Sequence, residues 1–101
     1  DIAAACHAMA RQLIAAPEKS GTYHFSGAPD CSWADFARAI FDQSGLECTV
    51  TDIPTSQYPT PAKRPLNSRM DCSETTNTFG IARPDWQASL TDILTDLGAR
   101  K

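Results

Sequence analysis

Ile2, Cys6, Met9 and Leu13 recur at helical spacing through an Ala-rich stretch that stops at Pro17, which predicts an amphipathic helix over residues 1–16. Asp1 stands at its amino end, where the helix dipole favours a carboxylate. Thr22, Tyr23, His24, Phe25 and Ser26 are β-prone and bounded by Gly21 and Gly27, the pattern of a short strand. Ser32 opens a second helix: its hydroxyl is placed to cap the amide of Asp35, and Trp33, Phe36, Ala37, Ile40 and Phe41 form one apolar stripe ending at Gly45. Residues 48–53 alternate and carry two Thr and a Val, so a second short strand is expected, ended by Pro54. From Pro54 to Pro65 four of the seven prolines are packed together, which excludes regular helix or central strand and leaves a stiff, extended loop. Ser73 begins a short helix through Thr76 and Phe79, closed by Gly80. Pro84 and Asp85 start the last helix, with Trp86, Leu90, Ile93, Leu94 and Leu97 on one face and Gly98 at its end. Helices on either side of the first strand imply a parallel sheet. The pattern therefore predicts an α/β class, α+β if the chain is taken alone, of about four helices with short strands.

Composition bounds the chemistry. At 101 residues, 42% hydrophobic and 21% charged, the chain is one ordinary globular domain or part of one, neither a disordered tail nor a membrane span. Its 12 acidic residues against 9 Lys and Arg argue against nucleic acid as a partner, because duplex binding needs an excess of cations. The five glycines never come closer than six apart, so no Gly-rich dinucleotide turn is present. Cys6, Cys31, Cys48 and Cys72 form no C-x-x-C pair and have no His at zinc spacing; no metal site is expected, and free thiols are. Cys6 and Cys48 read as small core residues, and Trp33 and Trp86 as core aromatics. His7 and His24 lack a nucleophile or acid partner and read as structural. A chain that starts at Asp1 in mid-helix reads as a piece of a longer one. On that reading the stripe of the first helix is exposed, and a homodimer is a possible consequence.

One segment departs from the acidic average. Between Ile53 and Met70 the only charged residues are Lys63, Arg64 and Arg69, which leaves −6 on the rest of a chain whose total is −3. Such a loop can clamp an anion: Arg forks onto phosphate or carboxylate, and the prolines reduce the ordering cost of holding it there. The alternative is a solvated loop with three incidental charges. Tyr58 and Lys63 are five apart with Pro59 and Pro61 between them, so they do not form the helical Tyr-Lys pair, four apart, in which Lys lowers a phenol pKa.

The stretch Tyr58-Pro-Thr-Pro-Ala-Lys-Arg-Pro-Leu-Asn-Ser-Arg-Met-Asp-Cys-Ser73 closely resembles the signature Y-P-T-P-A-x-R-P-x-N-S-x-L-D-C-S of dTDP-4-dehydrorhamnose reductases. The likeness continues through residues 78–81 and 84–86, and upstream through 21–27 and 32–40. Met70 replaces the usual Leu, and Glu74 a frequent Lys. These are extended short-chain dehydrogenase/reductases, in which an amino-terminal Rossmann domain binds NADPH and holds the catalytic Tyr and Lys, while the carboxy-terminal part binds the nucleotide sugar. The resemblance implies the carboxy-terminal third of a cytoplasmic oxidoreductase of dTDP-rhamnose and polysaccharide biosynthesis. Residues 1–27 would be the edge of the Rossmann layer and 28–101 the substrate-binding lobe. By the same resemblance, Arg64 and Asn67, with Arg69, are the substrate-binding residues, reaching the diphosphate of a dTDP-sugar as the R-P-G-H segment of related dehydratases does. Structural pairing of Arg64 with Asp71 or Asp52 is the alternative. No catalytic or cofactor-binding residue is expected here, since NADPH would be bound by the chain's own amino-terminal Rossmann domain; alone, these residues are expected to be inactive. Two other readings remain: a non-catalytic regulatory subunit like that of methionine adenosyltransferase, which shares the architecture, and a self-standing interaction module.

Overall fold

In a computed structural model that describes residues 1–101, four α-helices carry the fold: α1 (Ile2–Ala15), α2 (Trp33–Ser44), α3 (Ser73–Phe79) and α4 (Trp86–Asp96). Short 3₁₀ turns lie at Pro17–Lys19 and Thr55–Gln57. The chain divides into two compact units, Asp1–Pro29 with Met70–Ser89, and Asp30–Arg69 with Leu90–Lys101.

The four predicted helices form, but the expected α/β or α+β class with short strands does not. No sheet exists; the sole β-type pairing is one isolated parallel bridge between Ala28 and Asp85. The physical reason lies in where the backbone finds partners. In the segment expected as a first strand and just beyond it, side chains do what a neighbouring strand would have done. Thr75 Oγ1 donates to the His24 carbonyl at 2.6 Å, and Arg83 Nε donates to that of Ser26 at 3.2 Å. Arg83 Nη2 also donates to the Gly27 carbonyl, and Trp86 Nε1 to that of Pro29 at 2.7 Å. With those acceptors satisfied, a ladder is not needed to bury them. The second expected strand, 48–53, likewise has no pairing strand; the Val50 carbonyl accepts from Arg38 Nη2 at 3.2 Å instead.

In the first unit, α1 and α3 are joined through Gln12, whose Nε2 donates to the Phe79 carbonyl at 2.9 Å. Phe79 is buried and meets the Tyr23 ring edge-on, with centroids 4.8 Å apart. Lys19 Nζ lies 5.8 Å from the Phe79 centroid on the same cluster and donates to Gln12 Oε1. The buried side of α1 is rotated from the predicted stripe: Ala5 is buried, Met9 and Leu13 are half-buried, and Ile2 and Cys6 are exposed. Asp1 does not cap α1 with its side chain; its carboxylate accepts from the Ser89 hydroxyl.

In the second unit, Ser32 caps α2 as its position predicts, its Oγ accepting from the Asp35 amide at 3.1 Å. Gly45 ends α2, and in the first unit Gly80 ends α3, with φ of 71° and 70°, the left-handed conformation that glycine adopts without a Cβ penalty. Gln43 accepts from Thr91 Oγ1 at 2.7 Å and, through its carbonyl, from the Lys101 amide at 2.9 Å, so α2 is tied to the chain's last residues. Leu90 and Leu94 are the buried residues of α4, while Ile93 and Leu97 of the predicted face are exposed. Three expected core positions prove exposed: Cys6, Cys48 and Trp33, the last 87% exposed. All four cysteines are free, and Cys72 alone among them is buried.

Thr75 is the one fully buried polar residue, so its hydroxyl is the most consequential of these links. Replacing it with the isosteric Val keeps the volume but orphans the His24 carbonyl, at an expected cost of about 1–3 kcal/mol. Urea unfolding of Thr75→Val should show that loss. A variant within 0.5 kcal/mol of the parent would mean that the carbonyl finds another donor.

Candidate functional site

Residues 51–71 are exposed without interruption, and the basic loop lies among them. Sequence dictates this bareness: prolines at 54, 59, 61 and 65 deny the backbone a regular ladder, and few apolar side chains are available to bury. The 3₁₀ turn Thr55–Gln57 leads in, with the Gln57 amide on the Pro54 carbonyl at 2.9 Å and the Tyr58 amide on that of Thr55 at 3.0 Å. Beyond it the Thr60 hydroxyl donates to the Ala62 carbonyl at 2.8 Å. Tyr58 and Leu66, in the same segment as the three cations, are 69% and 92% exposed.

Both flanks of the loop are anchored. On the α2 side, Arg38 Nη2 donates to Asp52 Oδ1 at 2.7 Å as well as to Val50, while Nη1 pairs with Asp35 at 3.2 Å. The Asp52 hydrogen bond is the main cause holding the Arg38 pKa above its ordinary value. On the other flank, Asp71 Oδ1 accepts from the Ser73 amide at 2.9 Å at the start of α3. Hydrogen bonds from the Ser73 hydroxyl and amide, in that order, hold the Asp71 carboxyl below its ordinary value, with a smaller contribution from the charge of His24.

The three site residues named from the sequence stand in different situations. Arg64 is exposed and makes no hydrogen bond or ion pair within the chain. The carboxylates weighed as its structural partners are engaged elsewhere, Asp52 by Arg38 and Asp71 by Ser73. Asn67 and Arg69 are brought together: Asn67 Oδ1 accepts from the Arg69 amide at 3.0 Å and from Arg69 Nε at 3.1 Å. Lys63 is exposed and unpaired. Sequence reasoning missed Arg38 as the anchor of the loop's approach. Its spacing from Asp35 is a visible helical pair, but nothing in the sequence signals the contact to Asp52, fourteen residues away.

Away from the loop, the first unit holds a cleft of about 180 Å³ lined largely by apolar residues including Ile2, Phe25, Pro84 and Trp86. Its one carboxylate, Asp1, is already taken by Ser89. No group of three His, Cys, Asp or Glu is arranged to hold a metal ion. No helix is long and apolar enough to cross a membrane.

The family model for the RmlD substrate binding domain matches residues 1–99, and the chain belongs to that family. It is 39% identical over 95 residues to a dTDP-4-dehydrorhamnose reductase of Sinorhizobium fredii, covering 88% of this chain and 32% of the relative. It is 41% identical over 100 residues to one of Aggregatibacter actinomycetemcomitans, covering 92% and 34%. A spore coat polysaccharide biosynthesis protein of Bacillus subtilis is 34% identical over 74 residues, covering 73% of this chain and 26% of the relative. The chain thus spans about a third of the length of the curated reductases it matches.

The lowered pKa of Asp71 sets a pH signature for the exit of the loop. Because its folded value lies below the unfolded value near 4, its stabilisation is fully present above about pH 4 and is lost as pH falls through the folded value. Asp71→Ala should therefore lower Tm at neutral pH, with the difference from the parent closing as the pH is taken below 4. A difference that stays constant down to the acid end would show that the carboxylate charge plays no part.

Proposed function

We propose that this chain is the nucleotide-sugar-binding portion of a cytoplasmic, NADPH-dependent reductase that converts dTDP-4-dehydro-L-rhamnose to dTDP-L-rhamnose, with Arg64, Asn67 and Arg69 serving the diphosphate. Membership of the substrate-binding family and the names of the relatives support the substrate class. The observation that carries the loop assignment is the state of Arg64, an exposed guanidinium on a Pro-stiffened segment whose nearest alternative partners in sequence are already bonded. An unpaired planar fork of this kind matches two phosphate oxygens, where Lys63 offers only a point charge.

The cofactor belongs to the remaining two thirds of such a reductase. Here the residues do not fit a dinucleotide: no Gly-rich turn precedes a helix, and the amino ends of α2 and α3 are occupied by Ser32 Oγ and by the anionic Asp71. NADPH would supply the hydride from a site in the amino-terminal domain, and no step of that transfer runs through these residues. What the chain contributes is grip on the part of the substrate remote from the keto carbon. Residues 1–27 are assigned to the edge of the Rossmann layer and 28–101 to the substrate lobe. Exposed Ile2 and Ile14 of α1 would then meet the amino-terminal domain.

Arg64→Ala in the full-length reductase should weaken binding of the dTDP-sugar roughly ten- to hundred-fold, the range for a hydrogen bond to a charged group. Part of the loss should appear in kcat, since remote binding energy positions the sugar for reduction. Calorimetric titration, steady-state kinetics and Tm read these outcomes. Unchanged affinity with a lowered Tm would make Arg64 a structural residue and remove the assignment.

A further inference from the structure

The geometry points to Asn67 as a positioning residue that acts on the bound anion through Arg69; this rests on the diphosphate reading of the loop. A side-chain amide oxygen has two lone pairs, and both of those on Asn67 are spoken for by Arg69, one by its backbone amide at 3.0 Å and one by Nε at 3.1 Å. The first contact fixes the backbone turn. The second fixes the side chain: with Nε held, the guanidinium plane is oriented while its terminal Nη groups make no hydrogen bond or ion pair within the chain. Those two groups are the donors that fork onto a phosphate.

An exposed Arg otherwise has rotamer freedom to lose when it binds. Holding Nε in advance removes part of that loss, which is the ordinary way a preorganised side chain strengthens binding. Arg64 has no such support, so the two arginines differ in kind: Arg69 is set before the ligand arrives, and Arg64 is ordered by it. Asn67 and Arg69 are both exposed, so truncating them should leave Tm near that of the parent.

A double-mutant cycle on dTDP binding in the full-length protein separates direct from indirect action. Asn67→Ala should weaken dTDP binding about five-fold, the effect of one net hydrogen bond. In an Arg69→Ala background the same substitution should change binding less than about two-fold, because the group it positions is gone. In an Arg64→Ala background it should again weaken binding about five-fold. An equal loss with and without Arg69 would place Asn67 on the ligand itself and overturn the inference, as would unchanged binding in Asn67→Ala. If Arg69→Ala alone binds dTDP normally, the inference also fails, while the effect of Arg64→Ala still decides whether the loop grips the diphosphate.

Discussion

The carbonyls of His24, Ser26, Gly27, Ala28 and Pro29 have no strand to accept from, and the first unit is organised by how they are satisfied. Thr75 reaches His24 from α3, the Arg83 fork covers Ser26 and Gly27, and Trp86 serves Ala28 through its amide at 3.2 Å and Pro29 through its indole. The Ala28 amide in turn donates to the Pro84 carbonyl at 2.8 Å. Each donor comes from the stretch that follows the basic loop, so residues 70–89 cannot leave residues 1–29 without exposing unpaired acceptors. This requirement places the start of α3, and with it Asp71 at the loop's exit.

The loop itself shows the opposite economy. Its approach is tied to α2 by Arg38 and its exit is tied to α3 by Asp71, yet from Tyr58 to Arg69 the internal bonds are local ones, Thr60 to Ala62 and Arg69 to Asn67. Prolines supply the stiffness that packing does not. The cations are therefore held in a limited set of places with no internal counter-charge, the condition in which binding an external anion gains most from each contact. The body of the chain is net acidic, so the attraction of an anion to this protein is local to the loop.

What was legible in the sequence was the local chemistry. Ser32 with Asp35, Gly45 and Gly80 mark helix ends because capping depends on residues within one turn, and all three act as read. The strands failed for a reason the sequence contains only implicitly: β propensity describes fit to a pleated, half-buried surface, and the His24 and Ser26 carbonyls find side-chain donors where a sheet was expected. Helix stripes were right in period and erred at single positions: Leu90 and Leu94 of the predicted α4 face are buried, while Ile93 and Leu97 are exposed. Ala5, not Cys6, faces inward on α1, and Trp33, the first residue of α2, is 87% exposed. In the site, residue types were readable, since Arg, Asn and Pro have fixed chemistries. The pairing of Asn67 with Arg69 was not, because it depends on a 3.1 Å contact that spacing does not specify.

The central claim is that Arg64 and Arg69 are the anion-binding groups of this chain, and the side-chain Nε–Hε resonances of its arginines report on it directly. In the full-length reductase titrated with dTDP, the Arg64 and Arg69 signals should move together and saturate at the concentration at which dTDP binds. Those of Arg38 and Arg83, which stand outside the basic loop, should stay in place. Saturable dTDP binding with the Arg64 and Arg69 signals unmoved would contradict the account, because the diphosphate would then be held somewhere other than the basic loop.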